Sequence, residues 1–451
     1  MTSAGKNAVL FLLWQRCVFA AGVWLCALLS ACGSAATEVP LSDASPTLRP
    51  AVATANVGNA TEPVATAPAT ITPDPSTVLV WWPSALYPGD QSVAAALLHQ
   101  QVNSYQSSQA RTVRLRIKRA DGVGGIYQTL RSGSIVAPSA MPDLTLLRRG
   151  DLVQAASAKL IEPIAPRIFS ADDVFTPAMM LGQVRGVQYG IPYALEVQHA
   201  VYRSSVIPTP PHTLDDVLRI GQPFLFPASA SKGVNVTFLA QYLAAGGRIA
   251  TDKGAATLDR APLVTVLHFY EQALEMKIVG PQLLDYSSAA QYWPLFAAGK
   301  ASLIQIDSTS YLAMRASTPA ISATMTPIAS PGDSTLSVLD GWMWVVTTAD
   351  PDKQARAFGV LAWLMQADQQ GLLLHELGVL PSRRSALQRW ADDPYAQFAQ
   401  SLLELPAVPP LDMVDASVAT ALQKGFEDVL LGRKSAEVAA DDAIAQVTGT
   451  P

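Results

Sequence analysis

The chain has 451 residues, of which 49% are hydrophobic and 15% are charged, and it carries a formal net charge of −5. A chain of this length can form two or three domains around a large buried core. The acidic balance argues against a nucleic-acid-binding protein, because such proteins neutralise phosphates with clustered basic residues.

The N-terminal residues predict a leader followed by a lipidation site. An apolar run covers 17–31, which is the length of a signal-peptide core and too short for a comfortable bilayer span. It ends in the sequence LSACG at 29–33, which resembles the bacterial lipobox, whose cysteine is acylated. We therefore predict a signal peptide over 1–31 and a lipid anchor at Cys32. The alternative is an uncleaved membrane anchor.

Residues 32–76 predict a disordered tether that begins at the lipidated cysteine. Alanine, threonine, proline and serine dominate the stretch after Cys32, which has no aromatic residue and one basic residue, Arg49. Such a composition cannot bury enough apolar area to offset the entropy lost on ordering. We expect this segment to act as a spacer between the membrane and a folded body.

The folded body begins near Thr77, and its first elements predict an α/β unit. Three apolar or alternating runs, typical of strands, are separated by two segments with apolar residues at helical spacing. These elements are predicted at 78–82, 91–105, 112–118, 125–132 and 143–147. Their order predicts a right-handed parallel unit, in which ligands bind at the carboxyl ends of the strands. Trp81 and Trp82 lie at such an end.

Later segments continue the α/β pattern to the end of the chain. Thr213 and Asp216 predict a capping box at the start of a helix, and further helices are predicted over 355–365 and 422–431. No second linker interrupts the pattern, so two lobes built from interleaved segments fit the sequence better than two successive domains.

The folded body lacks the motifs of several enzyme classes. All three cysteines lie within the first 32 residues, which excludes a disulfide framework and a cysteine nucleophile from the body. The five histidines show no metal-ligand spacing, no Gly-x-Ser-x-Gly motif occurs, and AGKA at 298–301 lacks the rest of a phosphate loop. We expect no metal and no cofactor. A pair of catalytic carboxylates for glycoside hydrolysis is not excluded by the sequence, because such pairs need no fixed spacing.

Tryptophans at strand ends and loops are candidate ligand-binding residues. Flat apolar rings match the C–H faces of sugars, whereas carboxylates and amides bind hydroxyl groups. Core packing is the alternative for every tryptophan in the body. The five candidates are Trp81, Trp82, Trp293, Trp342 and Trp344.

Several segments of the body, in their order, resemble the extracellular solute-binding proteins of carbohydrate ABC importers, the group that includes maltodextrin-binding protein. The match spans most of 77–445. The similar segments are GIPYALEVQHAVY at 190–202, PPHTLDD at 210–216, FAAGKASL at 296–303, GWMWVV at 341–346 and GVLPSR at 378–383.

The resemblance implies a two-lobed, type II periplasmic-binding-protein fold of the α/β class, with a hinge that closes over the ligand. Lobe I is expected over 77–192 and about 304–362. Lobe II is expected over about 193–303 and 363–451.

The same resemblance places Glu196 where maltodextrin binders use a carboxylate on sugar hydroxyls, with a hinge salt bridge as the alternative. Residues 306–309, which read Ile-Asp-Ser-Thr, replace a Gly-x-Trp-like element of the family. We therefore expect Asp307 to bind hydroxyl groups directly.

Together these features predict a binding protein without enzymatic activity. It would be a monomer, anchored by lipid to the extracytoplasmic face of the bacterial cell membrane, that captures a sugar or oligosaccharide for the permease subunits of an ABC transporter. The alternatives are a binder of another polar solute, such as a polyol phosphate or a peptide, a surface glycoside hydrolase, and a sensor that signals to a membrane kinase or chemoreceptor.

Overall fold

The computed structural model describes residues 76–164, 173–229, 233–329 and 335–449. The predicted signal peptide, the lipidation site at Cys32 and the tether up to residue 75 lie outside the described residues. Within the described ranges, no helix combines the length and the apolar character needed to cross a membrane.

The strands of the described residues include the three that were expected at the start of the body. The strands are β1 (Val78–Pro83), β2 (Val113–Lys118), β3 (Leu144–Arg148), β4 (Gln183–Val184), β5 (Val187–Gln188), β6 (Gly190–Arg203), β7 (Phe224–Leu225), β8 (Leu303–Asp307), β9 (Ile321–Thr324), β10 (Leu339–Val346) and β11 (Leu380–Pro381). The apolar runs of β1 and β3 are largely buried, as expected for strands covered on both faces, whereas β2 lies at the edge of the sheet and its alternating pattern leaves Arg114 and Arg116 exposed.

Eight helices of the described residues begin at a residue whose side chain caps the first turn. At the expected capping box, Thr213 Oγ1 accepts a hydrogen bond from the Asp216 amide at 3.1 Å, and Asp216 Oδ2 accepts one from the Thr213 amide at 3.0 Å. The helices are α1 (Val93–Gln109), α2 (Ile126–Val136), α3 (Arg149–Ser157), α4 (Leu214–Ile220), α5 (Val236–Ala244), α6 (Arg260–Glu275), α7 (Trp293–Ala297), α8 (Ser308–Met314), α9 (Pro351–Leu364), α10 (Ala367–Leu377), α11 (Arg384–Leu387), α12 (Pro394–Leu403), α13 (Ala416–Leu430) and α14 (Ala436–Thr448).

One mixed sheet runs through the body in the order β2-β1-β3-β10-β6-β8-β7, with β9 and β11 also paired to β6. Strand β1 is parallel to both β2 and β3, so the predicted parallel β-α-β-α-β unit is confirmed. Strand β10 then joins antiparallel to β3 and to β6.

Strand β6 connects two groups of strands. Its first half, up to Val197, pairs with β10 and β11, whereas Gln198 to Arg203 pair with β8 and β9. Helix α9 packs on β1 and α10 on α1, while α6, α13 and α14 pack on one another. The change of partners between Val197 and Gln198 therefore lies where the polypeptide passes from one packed region to the other. The lobe boundaries expected from the sequence stay a prediction.

Candidate functional site

A cavity of about 340 Å³ opens where β6 changes partners. Its apolar wall includes Ile306, Val338 and Leu339. Most of its polar lining comes from strand residues near this crossover: Arg148, Glu196, Gln198, Gln305, Asp307 and Asp340. Clefts that combine apolar walls with a few convergent polar groups are typical of small-molecule sites.

Three charged side chains meet at one edge of the cavity because of strand register. Arg148 is the last residue of β3, Asp340 lies near the start of β10, and Asp340 pairs directly with Glu196 of β6. The Arg148 guanidinium donates from Nη2 to Glu196 Oε1 at 2.5 Å and from Nη1 to Asp340 Oδ2 at 2.9 Å. It also lies 5.1 Å from the centroid of the Trp342 ring. One cation thus holds two carboxylates and is itself held by an aromatic face.

A glycine next to Asp340 allows this close arrangement. A Cβ atom at Gly341 would lie 2.2 Å from the backbone oxygen of Ala194, so any larger residue would push β10 away from β6. The register between the two strands also shifts between Trp342 and Met343. These two features set the position from which Asp340 reaches Arg148.

The environment of the cavity shifts the pKa of the Glu196 carboxyl. Burial raises its pKa, and the positive charge of Arg148 lowers it in part. The carboxylates of Asp340 and Asp307 raise the pKa of Glu196 further, because they repel its ionised form. The cavity therefore concentrates negative charge around this side chain.

Asp307 lies across β6 from the Arg148 group, paired in register with Gln198. It is the last residue of β8 and the N-cap of α8. Its Oδ1 accepts a hydrogen bond from the Ser310 amide at 2.8 Å, and its Oδ2 accepts one from the Ser310 hydroxyl at 2.7 Å. The cap fixes the carboxylate against the cavity wall, and each oxygen keeps lone-pair capacity for a further donor.

Two buried amide oxygens of the cavity lack a donor. Gln305 Nε2 donates to Thr326 Oγ1 at 2.7 Å, whereas Gln305 Oε1 has no partner among the described residues. Gln198 Oε1 is likewise buried and unpartnered within that part of the chain. Buried polar atoms are nearly always paired, so such atoms in a cavity indicate places where a ligand can donate hydrogen bonds.

Of the residues singled out in the sequence, the structure brings Glu196 and Asp307 together at the cavity. The candidate tryptophans lie elsewhere. Trp82 and Trp344 are fully buried, with ring centroids 5.6 Å apart, and the Trp82 indole N–H donates to the Leu86 carbonyl at 2.9 Å. Trp81 is also buried in the core.

The other two candidate tryptophans are also buried. Trp293, at the start of α7, packs on Phe296 with centroids 5.3 Å apart, and Trp342 lies under Arg148. None of the five candidates lines the described cavity. Four of the five belong to β1 and β10, which are central strands of the sheet, and their indole rings are buried in the core. Contact of these rings with a ligand stays a prediction.

Sequence reasoning missed Arg148, Asp340, Gln198 and Gln305. Arg148 carried one usable signal, because it is a charged residue at the carboxyl end of a buried strand. The other three depend on pairing between strands that are distant in sequence. In the described ranges, no group of three or more His, Cys, Asp or Glu side chains is arranged to hold a metal ion.

The fold and the cavity define a protein that binds a solute. Residues 115–399 match the family of bacterial extracellular solute-binding proteins. The match covers more than half of the chain, and the chain belongs to this family. Members of this family bind substrates and are not enzymes, so the expected absence of a catalytic role follows from the family. They act outside the cytoplasm. No curated protein matches the sequence.

Solved structures share the fold. The sugar-binding protein MalE of the phytopathogen Xanthomonas citri is 17% identical, with 83% of this chain and 96% of that chain covered and a TM-score of 0.65. MalE of Listeria monocytogenes, in complex with maltose, is 16% identical, with 83% and 97% covered and a TM-score of 0.65.

A third structure is the cyclic α-maltosyl-1,6-maltose-binding protein of Arthrobacter globiformis. It is 19% identical, with 83% of this chain and 99% of that chain covered and a TM-score of 0.63. These similarities confirm the expected two-lobed, type II fold of the α/β class.

Proposed function

We propose that this protein captures a sugar or oligosaccharide outside the membrane and delivers it to the permease of an ABC importer. The cavity at the crossover of β6 carries this proposal. Its carboxylates and amide oxygens accept hydrogen bonds, as the hydroxyl groups of a sugar require, and its apolar wall suits the C–H faces of the ring. The structural relatives that bind maltose and a maltosyl-maltose support the same ligand class.

Binding would couple to closure of the two lobes through β6. Glu196 and Gln198 lie on either side of the point where this strand changes partners, and Asp307 and Asp340 belong to the two groups of strands that it joins. A ligand that contacts residues from both groups binds the closed arrangement more tightly and shifts the population toward it. We propose the lobe boundaries of the sequence with changes that strand pairing and helix packing support: β8 and β9 belong to lobe II, and α10 and β11 to lobe I.

The lipid anchor at Cys32 is part of the proposal, with residues 33–76 as the spacer. Cells grown with a labelled fatty acid should incorporate the label into the wild-type protein and not into Cys32→Ser. A wild-type protein that stays in the membrane fraction without label and with its leader uncleaved would support the alternative of a membrane-spanning anchor instead.

A titration of intrinsic tryptophan fluorescence with a panel of neutral, amino-bearing and acidic saccharides tests the binding function. We expect a saturable change with at least one saccharide. Asp307→Ala should weaken that binding by about tenfold or more, since it removes an ionised hydrogen-bond acceptor from the ligand. Asp252→Ala is the matched control, because Asp252 is exposed and lies outside the cavity. Saturable binding of a peptide and of no saccharide would contradict the proposal.

A further inference from the structure

The charge of the cavity is strongly unbalanced. Its lining includes three carboxylates, those of Glu196, Asp307 and Asp340, and Arg148 is the one basic residue that lines it within the described ranges. The formal charge of these four side chains sums to about −2 at neutral pH when all are ionised. A protein surface with this balance attracts cations and repels anions.

Arg148 is already engaged by the protein. Its two terminal nitrogens donate to Glu196 and Asp340, and its guanidinium plane lies over Trp342. An anionic ligand would have to replace one of these carboxylates and leave it unpaired in a half-buried place. That exchange is unfavourable, because a charge that loses its partner on burial is costly.

The amides of the cavity add acceptors rather than donors. Gln305 lines the cavity and is only 1% exposed, and its buried Oε1 has no partner in the part of the chain that the structure describes. Gln198 presents a second unpartnered amide oxygen close by. These acceptors are independent of the carboxylates, and both sets call for a ligand that is rich in hydrogen-bond donors.

We propose that the cavity selects sugars that carry a protonated amino group and rejects phosphorylated and carboxylated sugars. The hydroxyl groups donate to the oxygen acceptors of the cavity, while the ammonium group is attracted by the negative charge of Glu196, Asp307 and Asp340. This inference rests on the proposed function, since it names the class of saccharide that the same site takes. It also sets aside a polyol phosphate as the ligand, because the site offers no uncommitted cation in the described residues.

Matched saccharides that differ in one substituent test the selectivity. Isothermal titration at about pH 6.5, where a sugar amine is protonated, compares glucosamine, N-acetylglucosamine, glucose and glucuronate, together with the corresponding β-1,4-linked disaccharides. We expect the amino form to bind about tenfold or more tightly than the neutral forms, and this preference to shrink as salt is raised. We expect no binding of glucuronate.

Two variants link the preference to the cavity. Asp340→Asn and Glu196→Gln each keep the shape of the side chain and remove one negative charge, so the ratio of amino to neutral affinity should fall severalfold in each. Asp252→Asn is the control and should leave the ratio unchanged. The ratio of the two affinities is measured because a purely structural change would weaken the binding of both ligands alike.

The outcomes separate the two proposals. If neutral or acidic saccharides bind as tightly as the amino forms, or if they bind and the amino forms do not, the selectivity is overturned and the sugar-binding function stands. If no saccharide of either panel binds, the proposed function itself fails.

Discussion

His199 is a histidine buried in the second half of β6 that should make the stability of the protein depend on pH. It is fully buried against the rings of Tyr311, Tyr395 and Phe398. Its Nδ1–H donates to the Ala200 carbonyl at 3.0 Å, and its Nε2 accepts a hydrogen bond from the Tyr395 hydroxyl at 2.8 Å. This environment therefore stabilises the neutral imidazole of His199 more than the protonated one.

Burial lowers the pKa of His199 from 6.5 to about 4. Between these two values the unfolded chain binds a proton that the folded chain does not, so acidification favours unfolding. The stabilising effect is fully present above about pH 6.5 and is lost as the pH falls through about 4. A shift of this size corresponds to about 3 kcal/mol in the free energy of unfolding.

Urea unfolding of the wild type and of His199→Gln between about pH 7.5 and 4 measures this effect. The difference in the free energy of unfolding between the two proteins should change by about 3 kcal/mol across this range, in favour of the variant at low pH. Carboxyl groups elsewhere are common to both proteins and cancel in the difference. His268→Gln, at an exposed histidine, controls for the loss of one imidazole. A difference that stays constant with pH would refute the reasoning.

Three further predictions concern residues that the structure places in the framework. Trp82→Phe should lower the free energy of unfolding by about 2 kcal/mol and leave the ligand dissociation constant within about twofold; a large loss of affinity would show that Trp82 acts in binding. Thr213→Ala should cost about 1 kcal/mol in urea unfolding through its lost cap, and Thr213→Ser should restore it. Arg149→Leu should cost about 3 to 5 kcal/mol in thermal unfolding, because buried Arg149 holds Asp412 and three backbone carbonyls; a change below about 1 kcal/mol would contradict this.

Local patterns predict the first part of the fold because neighbouring residues determine it. The parallel arrangement of β1, β2 and β3 follows from short runs that alternate or stay apolar, joined by helices with one apolar face. The double pairing of β6 does not follow from such patterns. It depends on β8 and β10, which lie more than 100 residues further along the chain.

The same distinction explains the candidate site. Glu196 and Asp307 were found because each lies within or beside a segment that resembles the family. Arg148 meets Glu196 and Asp340 only through the registers of β3 with β10 and of β10 with β6. The burial of the tryptophans could also be predicted from local sequence. The continuous apolar run that predicts a strand covered on both faces, 78–82, also implies that both of its indole rings are buried.

The most direct test of the account is a crystal structure of the protein with the saccharide that binds most tightly in solution. We predict one saccharide in the cavity at the crossover of β6, with its hydroxyl or amino groups within hydrogen-bond distance of Glu196, Asp307 and Gln305. A saccharide bound away from these three residues, or stacked on an opened Trp82 with the cavity empty, would contradict the central claim.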